Sequence, residues 1–185
     1  MPPPPAARDR VLDALERLLV DRGERAATLE AVAREAGVSK GGLIYHFPSR
    51  EAMVDGLLDR LRARADEDSS LMRDAPEGVV SYFLRTSQCA DTPFDRTMVA
   101  ATRLRSHASA REALAHVQRQ WYDAILAEVG DETVAQMVML MGDGFYYNAS
   151  APDALASTGT PQFQAKVDDM VALIGQLVRL RAESG

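Results

Sequence analysis

Four residues, Thr28, Gly37, Ser39 and Pro48, leave the chain between them few choices. Thr28 can cap a helix by accepting a backbone N–H bond. Behind it Leu29, Val32, Ala33 and Ala36 recur at helical spacing and form one apolar stripe. Gly37 is the residue type best suited to the left-handed conformation in which a helix ends and the chain turns. Ser39 can cap a second helix, Lys40 to Phe47. Pro48 disfavours helical geometry at the residue before it, so that helix must stop there. Helix, glycine turn and short second helix make a helix-turn-helix pattern, whose second helix would enter the DNA major groove.

The rest of the chain reads as helix as well. Alternating β-branched runs are almost absent, so the fold class is all-α, with about nine helices. Residues 1–6, carrying Pro2 to Pro5, form a flexible N-terminal arm, and residues 7–50 form a three-helix helix-turn-helix domain. Its first helix, about Ala7 to Arg22, buries Val11, Leu12, Leu15, Leu18 and Leu19 and ends at Gly23. Ser49 caps a connecting helix over 51–68, with Val54, Leu57, Leu58 and Leu61 on its inner face. At about 28 Å that helix is long enough to join two bodies. Residues 69–185 make a second helical domain, with helices near 76–89, 93–106, 109–129, 131–149 and 161–182.

Charge follows the same division. The whole chain carries −6, but residues 1–65 net +1 and the remainder −7, so the acidic excess does not lie on the part that would meet DNA. Phosphate attraction depends on charge within about 10 Å at ordinary salt, so this local balance is the one that matters. No apolar run approaches the roughly 20 residues of a membrane span, which excludes an integral membrane protein and a membrane partner. A single cysteine, Cys89, excludes an internal disulfide framework and fits a cytoplasmic location.

The run Lys40-Gly41-Gly42-Leu43-Ile44-Tyr45-His46-Phe47-Pro48-Ser49-Arg50-Glu51-Ala52 resembles the signature of the TetR (tetracycline-repressor-like) family of transcriptional regulators. The stretch from Thr28 to Ser39, T-x-x-x-V-A-x-x-A-G-V-S, extends the likeness, which covers about residues 8–58. The resemblance implies a homodimeric repressor that binds double-stranded operator DNA and is released by a small-molecule effector, with residues 69–185 as its helical ligand-binding and dimerisation domain. One departure stands in the recognition helix, where the family often has an aromatic and this chain has Ile44.

The DNA-binding residues expected are Thr28, Ser39, Lys40, Gly41, Gly42, Ile44, Tyr45, His46 and Arg50. Lys40 can donate to guanine or to phosphate. Gly41 and Gly42 would let the backbone approach the groove closely. Tyr45 and His46 resemble the family's phosphate-contacting pair, and Ile44 either touches a thymine methyl or packs. Thr28 and Arg50 would flank the groove on phosphates, although the capping role of Thr28 does not depend on DNA. Leu43 and Phe47 form the inward face that holds the helix down.

In the second half, Tyr82, Phe83, Met98, Leu104, Trp121, Tyr122, Ile125, Met137, Met141 and Tyr146 are candidates to line a ligand pocket. Val134, Val138 and Phe145 on one terminal helix, and Val167, Met170, Val171, Ile174, Leu177 and Val178 on the other, are candidates for a dimer interface built as a four-helix bundle. Gly142 and Gly144 would allow close helix approach at that seam. Cys89, His107 and His116 lack metal-binding spacing, and no nucleotide-binding glycine loop is present, so no cofactor, metal or catalytic residue is expected. Two alternatives stay open on sequence alone: activation instead of repression, and a small-molecule-binding protein whose helix-turn-helix is vestigial.

Overall fold

The computed structural model describes residues 6–87, 92–149 and 160–183, and among these every regular element is helical. The order is α1 (Ala7–Arg22), a 3-10 turn (Glu24–Ala26), α2 (Leu29–Ala36), α3 (Lys40–His46), α4 (Arg50–Arg73), α5 (Val79–Thr86), α6 (Pro93–Thr102), α7 (Ala108–Val129), α8 (Glu132–Ala149) and α9 (Pro161–Glu183). None of the helices described is long and apolar enough to cross a membrane.

Local chemistry sets these boundaries. The Thr28 hydroxyl accepts the Ala31 N–H, and Ser39 accepts that of Gly42. Gly37 ends α2 in the left-handed region, with φ 64° and ψ 35°. Thr92 and Asp95 cap α6 reciprocally, with Pro93 at its first position. Asp131 caps α8 and Thr160 caps α9.

Three of the boundaries that differ from the sequence reading have a local cause. The connecting helix α4 runs on to Arg73, because Ser69 and Met72 give its last turns a buried face. The start of α5 moves from about 76 to Val79, because Gly78 sits at φ 90° and the Glu128 carboxylate accepts the N–H groups of Val79 and Val80. The end of α6 moves from about 106 to Thr102, because buried Leu104 and the anchored Ser106 and His107 hold the following turn. The arm residues 1–5, Cys89 and the break at 150–159 lie outside the described residues.

The chain forms two compact units, and their border is not the one the sequence suggests. One unit takes the chain as far as Ala65 and then α6 and the start of α7 up to His116; the other takes Asp66 onward through α5, and everything from Val117. In the first unit Leu12, Leu15, Leu19, Leu43, Leu57, Leu58, Leu61 and Leu104 are fully buried. Glu16, also buried, explains why α6 belongs there: one carboxylate oxygen accepts from Arg60 and Arg64 of α4 and from Thr97 of α6. A buried carboxylate needs such partners, since an unpaired one is strongly destabilising. The core of the second unit joins Val80, Phe83, Leu84, Ile125, Val138, Phe163, Val167 and Ile174.

Candidate nucleic-acid interface

The short helix α3 is held from one side only. Leu43 is fully buried and Phe47 nearly so, as the sequence requires. The Phe47 ring has a seat that the sequence reading missed. A Cβ added at Gly56 of α4 would lie 2.6 Å from the ring, so only glycine lets the ring pack there. The Arg8 guanidinium lies over the same ring, 5.3 Å from its centroid. With that side locked, the other side of α3 is left outward. Tyr45 is 84% exposed and Ile44 40%, and the rings of Tyr45 and His46 meet edge to face at 5.1 Å.

The two glycines do different things. A Cβ at Gly41 would touch nothing in the protein, so the chain itself does not need a glycine there. A Cβ at Gly42 would lie 3.2 Å from the capping Ser39 hydroxyl, a close approach that a shift of a few tenths of an ångström relieves. Replacing Gly41 with alanine should therefore leave stability equal or raise it by up to about 1 kcal/mol, while weakening DNA binding by removing close backbone approach. Urea denaturation beside a DNA titration checks both signs, and an alanine variant that binds as well as the parent would end that role for Gly41.

Lys40, at the start of α3, is exposed and donates to the Glu30 carboxylate of α2 at 2.6 Å. Thr28 and Ser39 are exposed beside these helix starts, their hydroxyls already accepting cap bonds. Arg50 differs from expectation. Its guanidinium turns to Glu24, meeting the carboxylate at 3.2 Å and the backbone carbonyl at 3.3 Å, and to the Ala27 carbonyl at 3.5 Å. The same Glu24 carboxylate receives His107 at 2.8 Å and Ser106 at 3.1 Å. The His107 hydrogen bond, supported by Arg50 and Ser106 and opposed by burial, holds Glu24 below the usual carboxylate range. Arg50 thus fastens the 3-10 turn to the start of α4, with a third of its side chain still exposed in a concavity it shares with Thr28. Among the described residues no cluster of His, Cys, Asp and Glu could hold a metal ion.

The pocket candidates do not all come together. Met98 and Leu104 belong to the first unit, where Leu104 is a fully buried plug. Phe83 and Ile125 are core residues of the second unit. Tyr82 and Trp121 instead converge on Asp68, which the sequence reading missed: the phenol and the indole N–H donate to its two oxygens at 3.1 and 3.0 Å. Burial, with Asp68 beside it, pushes the Tyr82 phenol up to about 12. Tyr122 and Met137 line a shallow concavity with Glu132, Thr133, Gln136 and Leu140. Met141 packs partly buried against the second core, and Tyr146 is half-buried.

Four of the nine interface candidates need correction. Val134, Val138, Val167 and Ile174 are buried within the chain's own core. Phe145 packs edge to face on Phe163, and Met170, Val171, Leu177 and Val178 are half-buried. The exposed apolar residues lie at other positions: Met137, Leu140 and Tyr147 on α8, and Leu173 and Leu180 on α9. Periodicity finds the most apolar face of a helix, and here that face is the inner one. Gly142 faces inward as well, because a Cβ there would lie 2.4 Å from Phe83; at Gly144 it would meet nothing.

Comparison with known proteins bears on this geometry. Residues 11–57 match the model of the bacterial regulatory proteins, tetR family. The HTH-type transcriptional repressor KstR2 of Rhodococcus jostii is 41% identical over 66 residues, covering 31% of this chain and 32% of the repressor. Matches to such curated relatives span between 27% and 49% of the relatives' own length. These relatives are transcriptional regulators. The fold likeness extends further. The multidrug binding protein EbrR, complexed with malachite green, aligns with a TM-score of 0.68 at 18% identity, over 92% of this chain and 98% of that one. A Saccharomonospora viridis regulator in complex with choline aligns with a TM-score of 0.68 at 16% identity, over 90% and 95%.

Proposed function

We propose that the chain is a homodimeric transcriptional repressor that leaves its operator when a small molecule binds, a reading supported by the match of residues 11–57 to the model of the bacterial regulatory proteins, tetR family. The observation that carries this reading is the two-sided character of α3. Leu43 and Phe47 seat it, while Lys40, Gly41, Ile44 and Tyr45 are exposed. A helix presented this way can enter a major groove, with Lys40 toward base edges and with Tyr45, His46 and Thr28 toward phosphates.

Two copies are needed to read two half-sites about 34–36 Å apart. The exposed leucines of α8 and α9, Leu140, Leu173 and Leu180, supply an apolar seam for that pairing. The effector enters the second unit around Asp68, Tyr82 and Trp121, where a carboxylate beside aromatic rings suits a small cation. It acts only to the extent that it binds the DNA-competent and DNA-incompetent conformations with different affinity. Such a regulator works in the cytoplasm, beside its operator.

The test is a titration of the full chain with duplex from its own upstream region across a range of salt. Affinity should fall steeply with salt, and Lys40→Ala should flatten the slope. Sequence-independent binding at every salt, or none, would remove the regulator reading.

A further inference from the structure

Lys40 is the one residue of α3 whose side chain is a permanent cation, and it occupies the first position of the helix. A positive charge there opposes the helix dipole. Its ammonium donates to Glu30 Oε1 at 2.6 Å, and Glu30 lies in the first turn of α2. Both side chains are more than half exposed. The Lys40 hydrogen bond holds the Glu30 carboxyl below the usual carboxylate range, so it is ionised at neutral pH. An exposed pair of this kind adds little to stability. On a surface that approaches phosphates, a carboxylate also repels the partner and cancels the attraction of the lysine beside it.

The pair has a complement in the major groove. A G·C base pair displays acceptors on guanine, N7 and O6, and a donor on cytosine, the N4 amino group. O6 and N4 are hydrogen-bonded to one another, so they lie about 2.9 Å apart. That separation is close to the 2.6 Å between Lys40 Nζ and Glu30 Oε1. We propose that Glu30 and Lys40 act together as a specificity element for one G·C pair in each half-site, Lys40 donating to guanine and Glu30 accepting from the cytosine amino group. The proposal rests on the reading that α3 enters the groove. It makes Glu30 a sequence-reading residue although it lies on α2, and it gives the carboxylate a second effect: on duplex without that G·C pair, Glu30 keeps Lys40 from binding phosphates indiscriminately.

The test uses the full chain, a pool of random-sequence duplexes for selection, and one mixed-sequence duplex for affinity against salt. The parent chain should enrich a motif with a fixed G·C pair in each half-site. Glu30→Ala should reduce that preference by about tenfold or more. It should also bind the mixed duplex more tightly, with a log–log salt slope steeper by about one for each α3 engaged. Glu30→Gln keeps an acceptor oxygen but not the charge, so it should gain the same sequence-independent affinity while retaining part of the G·C preference. Lys40→Ala should lose the preference without that gain. Melting temperatures close to the parent's establish that the variants are folded, as expected for exposed positions. A Glu30→Ala chain that selects the parent's motif with unchanged affinity overturns this inference alone, as does a parent motif lacking the G·C pair. A parent chain that enriches nothing overturns the DNA-binding reading and this inference with it.

Discussion

Arginine at both position 140 and position 173, in place of the leucines, is expected to give a folded monomer whose operator affinity is lower by about a hundredfold or more. Leu140 and Leu173 are each 61% exposed, so neither substitution empties the core of the second unit. In a dimer seam, however, each would bring a guanidinium between apolar side chains of the two copies, at a large desolvation cost. Separating the copies leaves each recognition helix to bind alone. The gain lost is that of an intramolecular second contact, which reaches roughly a hundredfold to ten-thousandfold. Sedimentation at micromolar concentration, circular dichroism and an operator titration together decide the matter. A double variant that remains a dimer would show that the copies meet elsewhere.

The second large effect is expected at Phe47. Replacing it with alanine should cost about 3–5 kcal/mol, a large share of the roughly 5–15 kcal/mol that holds a typical domain together. The ring is 3% exposed and packed where Gly56 leaves room, so its loss opens a void that α3 cannot fill from its polar side. Gly56→Ala should act on the same seat from the opposite side, by about 1–3 kcal/mol, because the new methyl would overlap the ring. Tyr45→Ala provides the contrast. Its side chain is exposed, so stability should change by no more than about 0.5 kcal/mol, while DNA binding weakens. Urea titrations of the three variants separate seat from surface. Equal losses for Phe47→Ala and Tyr45→Ala would mean that α3 is not fastened in this way.

What the sequence discloses depends on the distance over which the physics acts. Thr28, Gly37, Ser39 and Pro48 work within four residues of themselves, and the helices they bound are found where they imply. Leu43 and Phe47 declare the buried side of α3 by their spacing alone. Gly56 gives no such sign, because its purpose is fixed by how α3 crosses α4. Arg50 misleads for a similar reason. Charge type suggests an open surface, whereas Glu24, itself held by Ser106 and His107 from a distant chain segment, receives the guanidinium. The terminal helices mislead in another way: α8 and α9 are apolar on more than one side, and the stronger periodic signal, Val134 with Val138 and Val167 with Ile174, belongs to the core. Asp68 could not be singled out among so many acidic residues until Tyr82 and Trp121 were seen to meet it.

The shared Glu16 oxygen has a consequence for how the protein is made. Its partners on α4 follow it by fewer than 50 residues, but Thr97 follows it by 81. A ribosome therefore has to release the chain well past α6 before the reading head can close. During that interval the Glu16 carboxylate has its two guanidinium partners but not the Thr97 hydroxyl, and the nascent head lacks the buried plug of Leu104. A fusion that borrows only residues 1–65 as a portable DNA-binding module inherits that unfinished state permanently, and grafting α6 back onto it is the natural remedy.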